Sequence, residues 1–411
     1  MLIKDYDDVL NELDEIVKKD SNFKKVPSTF TSVQKLEIPS YTYGNGDNHI
    51  ILVAGTHGSE IISVNFMLEF MKRLKDLDTK DYTFHIIPVH NPEGYIISTF
   101  AIKTVINKDM SDDEVEKISK DYFLRYRQDD INYKNNPLDR SLKKHQEMFI
   151  NADYKCIPDK YGKIKKRIKE IYEKNNLPKG SMVVWRGNAN GVETNRDNPL
   201  NTSIVDIING NIDVNNSYAN LRYNNIPAFK RGPIGIISDN FNTNTYLPEN
   251  EYLYNLIDAL YKKGEYCGLY TFHSTGGMIY SKLSYGADLS VIDDYDRYEF
   301  SLINDILAKN YISNTKYKTL NGDIKPGYKI VSDPDINGFD EFLRVQYPAV
   351  LLIELSYMGG NPIGPFGDLD NNYYPTIENN IKALIDNIKL NKKLKPFINR
   401  KYDIVDKGFS I

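Results

Sequence analysis

Four short apolar runs rich in Val and Ile, each bounded by turn residues, constrain this chain more than any other feature. They are HIILVAG at 49–55, TFHIIPV at 83–89, GLYTFHS at 268–274 and AVLLIELS at 349–356. Runs of this kind are strands buried on both faces, where no side chain meets water and alternation with polar residues is unnecessary. After the first run comes IISVNFMLEFMKRLKDL at 61–77, in which Ile61, Val64, Leu68, Met71 and Leu74 recur at the three- and four-residue spacing of an amphipathic helix. Strands alternating with helices predict an α/β fold, a mixed, mostly parallel twisted sheet sandwiched by helices.

The chain has 411 residues, 41% of them hydrophobic, enough to bury a large core. Its 52 basic and 56 acidic residues are interspersed and sum to −4, so no global charge favours nucleic acid or an anionic membrane. Cys156 and Cys267 are too few for a disulfide framework and lack the spacing of a thiolate metal site, which fits a reducing compartment. The first 20 residues mix charges with helically spaced apolar residues, unlike a signal peptide. No run approaches the roughly 20 apolar residues of a membrane span. A cytoplasmic protein is therefore expected. Residues 1–35 read as an N-terminal helical extension, 36–395 as one catalytic domain and 396–411 as a tail. Within the domain, residues from about 100 to 180, dense in Lys and Asp, read as a helical insertion, either a solvated decoration or a lid over the site.

The polar residues that interrupt this pattern fall just after the strands, where open α/β sheets place their ligand crevices. His57-Gly-Ser-Glu60 sits on a strand-to-helix turn, and its i,i+3 spacing can bring an imidazole and a carboxylate onto one ion. Taken alone, it fits equally a hydrogen-bonded turn histidine and a Glu favoured by the helix dipole. His273 ends an apolar strand and is followed by Gly276 and Gly277, which allow close approach of another backbone. Glu354 follows four apolar residues on an interior strand, so it either pairs with a cation across the sheet or serves as a general base beside a metal. Two histidines and one carboxylate leave a fourth zinc position open, the arrangement of a catalytic site rather than a structural one.

In their order along the chain, GTHGSE (55–60), NPEGY (91–95), WRGNANGVETNR (185–196), FHSTGG (272–277) and ELS (354–356) resemble the zinc carboxypeptidase family typified by carboxypeptidase A. The resemblance spans most of residues 40–390. It implies one Zn2+ held by His57, Glu60 and His273, with Glu354 as general base and Arg186 stabilising the oxyanion. It further implies that Asn195 and Arg196 hold the free carboxylate of a peptide or peptide-like substrate, and that Glu193 orients a ligating histidine. Asp340 stands 14 residues before Glu354, the family spacing, and this register sets Phe339 at the specificity position. An apolar residue there implies no preference for a basic terminal side chain. The same register puts Ser332 where the family has a substrate-binding tyrosine, with Tyr328 the nearest upstream candidate. DPDING at 333–338 begins like a calcium loop but has Arg344 where the bidentate Glu belongs.

The function expected is zinc-dependent hydrolysis of a C-terminal peptide or isopeptide bond. The alternatives are an N-acyl-amino-acid deacylase resembling the aspartoacylase branch of the fold, against which the Asp340 to Glu354 spacing argues, and a non-catalytic peptide-binding protein.

Overall fold

The structure is a computed structural model, and it describes residues 1–26, 31–135, 147–174, 177, 179–197, 247–282, 294–315, 317–318, 324–325, 327–332 and 338–400. Its strands are β1 (Phe23–Lys25), β2 (Tyr41–Gly44), β3 (Asn48–Ala54), β4 (Tyr82–Ile87), β5 (Tyr266–Ser274), β6 (Met278–Lys282), β7 (Tyr317–Lys318), β8 (Ile324–Lys325), β9 (Lys329–Ser332) and β10 (Val350–Leu355). Eight of them form one sheet in the order β1-β2-β4-β3-β5-β10-β6-β9, while β7 and β8 make a separate ribbon. The central strands β4, β3, β5 and β10 run parallel, and β2 and β6 pair antiparallel at their outer sides. The four apolar runs are these central strands, and the mixed, mostly parallel sheet expected from them is the one observed.

The helices are α1 (Tyr6–Lys19), α2 (Ile61–Arg73), α3 (Pro92–Ile102), α4 (Asp112–Asn135), α5 (Gly162–Lys174), α6 (Pro248–Lys262), α7 (Asp294–Ser313), α8 (Phe339–Gln346) and α9 (Tyr374–Ile398). A reciprocal cap starts α1, with Asp8 N–H donating to Asp5 Oδ1 and Asp5 N–H to Asp8 Oδ2, both at 2.9 Å. Residues 1–35 also contribute β1, which pairs with β2 at the sheet edge. In α5, Ile164, Ile168 and Ile171 form one buried stripe along an otherwise charged helix. Buried asparagines on α9 satisfy polar groups of the sheet; Asn391 Nδ2 donates to Cys267 O at 2.6 Å. Among the described residues no helix is long and apolar enough to cross a membrane.

Two features of this frame aim chemistry at one place. In the parallel pairing of β5 with β10, His273 and Glu354 are register partners, so their side chains leave the same face of the sheet side by side. The loop after β3 meets the first turn of α3 so closely that a Cβ at Gly58 would lie 2.0 Å from the carbonyl carbon of Gly94. Only glycine permits that approach.

Candidate metal centre

The turn after β3 presents His57, and Glu60 stands at the N-cap of α2. Backbone bonds hold the turn: Glu60 N–H donates to His57 O, and Ser63 N–H to Glu60 O, both at 3.0 Å. His57 and Glu60, beyond the end of β3, and His273, on the neighbouring β5 but more than 200 residues on in sequence, meet in one buried cluster, each 1% exposed. His57 Nδ1 lies 2.8 Å from Glu60 Oε1, His273 Nδ1 lies 3.0 Å from Glu60 Oε2, and the two Nδ1 atoms are 3.2 Å apart. Zinc with bonds of about 2.0–2.1 Å in tetrahedral geometry would separate its donors by about 3.3 Å, close to these edges.

The outward ring nitrogens are also occupied. His57 Nε2 is 3.0 Å from Glu193 Oε1, and His273 Nε2 is 3.1 Å from Asp340 Oδ2. A carboxylate on the far nitrogen sets the tautomer that aims Nδ1 inward and raises its basicity, as expected for metal-binding histidines. Ser274 N–H donates to Glu60 Oε2 at 3.2 Å, orienting the third donor. Arg186 lies over the cluster with Nη2 2.9 Å from His57 Nδ1, and Nε 3.4 Å from Glu193 Oε1.

Among the described residues, the carboxylates of Glu60, Glu193, Glu354 and Asp340 gather here, with Arg186 over the cluster and Arg344 acting on Asp340. Burial works to raise the Glu60 carboxyl, but the charges of His57 and His273 hold it well below the usual range. Burial works to lower His273, yet Glu60 and Asp340 push it up to about 10. Glu354 is pushed up to about 8, by burial first and then by Glu60, against the opposing charges of His273 and Arg186. Among the described residues, its covered Oε2 has no hydrogen-bond partner. Two inward imidazole nitrogens, a carboxylate and an orphaned buried oxygen alongside are a donor set that fits a zinc ion.

The remaining residues expected at the site are distributed unevenly. Glu193 and Arg186 join the cluster. Asn195 is buried, and its Oδ1 accepts from Asp340 N–H at 3.2 Å, tying its loop to the start of α8. The side chains of Arg196 and Ser332, and residues 333–337 of DPDING, lie outside the described residues. Phe339 opens α8, is 2% exposed and packs on Phe342 with ring centroids 6.1 Å apart. Tyr328 does not join the cluster. It is 3% exposed, its hydroxyl accepts from Asn380 Nδ2 of α9 at 2.7 Å, and the charge of Glu354 acts on it.

Three supporting residues have roles the sequence reading did not assign. Asp340, used there only for register, is the partner of His273. Asn91 caps α3 by accepting from Gly94 N–H at 2.9 Å, and its amide donates to Thr56 O and Arg186 O at 3.3 and 3.4 Å. Buried Glu93 accepts from Ala189 N–H at 2.8 Å. The last two lie in NPEGY, whose position between the metal-site motifs was the available signal.

The family model described as zinc carboxypeptidase matches residues 9–137, less than half of the chain, a span that contains His57 and Glu60 but neither His273 nor Glu354. No curated protein matches by sequence. Among solved structures, the chain is similar to bovine thrombin-activatable fibrinolysis inhibitor in complex with tick carboxypeptidase inhibitor. Identity is 14%, the match covers 95% of this chain and 98% of that one, and the TM-score is 0.51. A second structure of thrombin-activatable fibrinolysis inhibitor matches with 13% identity, 95% and 75% coverage and a TM-score of 0.51. At such identities the likeness is one of fold.

Proposed function

We propose, for a chain that has the zinc carboxypeptidase fold and matches that family's model over residues 9–137, that it is a zinc-dependent hydrolase of a C-terminal peptide or isopeptide bond. The observation that carries this reading is the pairing of Glu354, its buried Oε2 unpartnered among the described residues, beside a cluster whose two inward nitrogens and carboxylate suit one zinc ion. His57, Glu60 and His273 would hold the metal, with Glu193 and Asp340 fixing the two rings. Zinc in that position supplies a Lewis acid that polarises the scissile carbonyl and acidifies water.

Glu354 then acts as general base through its carboxylate, accepting a proton from the attacking water and returning it to the leaving nitrogen. Arg186, whose guanidinium already lies over His57, faces the oxygen on which negative charge develops. Asn195 and Arg196 receive the terminal carboxylate of the substrate, and a guanidinium fork suits that group. Phe339 leaves the terminal side chain without a counter-charge.

The test is zinc analysis of the purified protein, followed by mass spectrometry of products from a peptide library with γ-glutamyl and diaminopimelate-containing members. Wild type should release C-terminal residues. Glu354→Gln should keep its zinc and lose about 10²–10⁴-fold in kcat. Unchanged turnover in Glu354→Gln would sink the mechanism, and cleavage of N-acetyl amino acids alone would transfer the chain to the deacylases.

A further inference from the structure

Helix α4 does more than cover the surface. Helix α4 lies against the loop that follows β10, and the approach is so close that the loop needs glycine at three points. A Cβ at Gly359 would lie 2.7 Å from Tyr126 Cε1, one at Gly360 3.1 Å from Tyr126 Cγ, and one at Gly367 2.9 Å from Lys120 Cα. Glu116 Oε1 accepts from Leu369 N–H at 2.7 Å, anchoring the far end of the same contact.

Between these contacts a polar path leads inward. Tyr122, fully buried on α4, donates its hydroxyl to the main-chain oxygen of Asn361. The Asn361 side chain clamps Ser274: its Nδ2 donates to Ser274 O, and its Oδ1 accepts from Ser274 Oγ at 2.7 Å. Ser274 follows the ligand His273 directly, and its N–H is the donor that orients Glu60 Oε2.

We infer that α4 is a positioning element for the metal ligands, acting through the relay Tyr122, Asn361 and Ser274 on His273 and Glu60. The inference rests on the zinc reading of the cluster. A side-chain amide that holds both the carbonyl and the hydroxyl of one residue leaves that residue little freedom, so its N–H keeps one direction. Outer partners of this kind commonly tune metal affinity by 10–100-fold.

The experiment is zinc affinity by chelator competition, together with the visible spectrum of the cobalt(II)-loaded protein. Asn361→Ala should bind zinc about tenfold more weakly and shift the cobalt bands. Tyr122→Phe, which removes one hydroxyl, should change affinity in the same direction by a few-fold. The double variant should be no weaker than Asn361→Ala alone, because members of one path do not act additively. Glu116→Ala, which loosens the same helix away from the relay, should lower the melting temperature without moving affinity or spectrum. If wild type takes up no zinc, the proposed function fails and the relay with it. If wild type binds zinc and Asn361→Ala binds it equally with an unchanged cobalt spectrum, the relay alone is wrong. Should Tyr122→Phe fail to fold, Asn361→Ala and Asn361→Asp decide the matter, Asp keeping the acceptor for Ser274 Oγ and losing the donor to its carbonyl.

Discussion

Strand β3 carries a histidine pair near each end, and the two pairs have opposite electrostatic characters. Past its carboxyl end, His57 meets His273 with ring centroids 4.8 Å apart; at its start, His49 meets His85 with centroids 5.1 Å apart and Nδ1 to Nε2 at 2.8 Å. The first pair shares Glu60, with Glu193 and Asp340 behind, and His273 is pushed up to about 10. The second pair has Glu265, 39% exposed and 3.9 Å from His49 Nε2, and Asp47 in its favour, with Lys395 and Lys263 opposing them. Burial therefore dominates, pushing His85 down to about 3 and lowering His49 as well. Two close imidazoles do not by themselves make a metal site. Carboxylates that oppose desolvation do, and in this fold they come from the turns and helix starts beyond the strand ends.

The contrast breaks most readily at Glu60. Glu60→Ala should abolish stoichiometric zinc uptake, a loss of about 100-fold or more in affinity, since it removes a ligand rather than a supporting partner. His49→Ala should leave both stoichiometry and affinity unchanged. Metal analysis with chelator competition reads both, and zinc lost from His49→Ala would place the site at the wrong end of the strand. A smaller effect is expected one layer out. Glu193→Gln and Asp340→Asn each replace a charged acceptor on an outward ring nitrogen by a neutral amide, and each should weaken zinc by about 10–100-fold. Equal affinity in both variants would mean that the outer carboxylates are not what separates the two pairs.

The sheet and the cluster were legible for the same reason. Buried parallel strands write continuous apolar runs, and a charged residue that ends such a run, as His273 and Glu354 do, stands out. Their lateral pairing could not be read, because strand order is set by tertiary packing. Nor could the partner of His273, since Asp340 lies 67 residues away and nothing local marks the contact. Tyr328 shows a further limit. It is the nearest tyrosine upstream of Ser332, and nothing local marks that Asn380 on α9 offers its hydroxyl a buried amide. The reading of α4 as decoration or lid likewise had no access to Asn361, which lies 239 residues from Tyr122.

The smallest expected effect tests the second pair through its own protons. A histidine whose folded pKa is depressed binds fewer protons in the folded state than in the unfolded one. Its contribution is therefore fully present above the ordinary value of 6.5 and is lost as pH falls from there towards about 3. In urea unfolding of the metal-free protein between pH 6.5 and pH 4, His85 adds at most about 1.4 kcal/mol per pH unit to the slope of stability against pH, while Glu354 and Glu249, both pushed up to about 8, act with the opposite sign. In His85→Leu that slope should be lower than in wild type by an amount approaching this ceiling. His90, pushed down to about 4 by burial, contributes with the same sign and stays in both proteins, so the difference between the two slopes isolates the pair. Identical slopes would mean that His85 is protonated in the folded state, and the two pairs would then differ in ligands but not in charge.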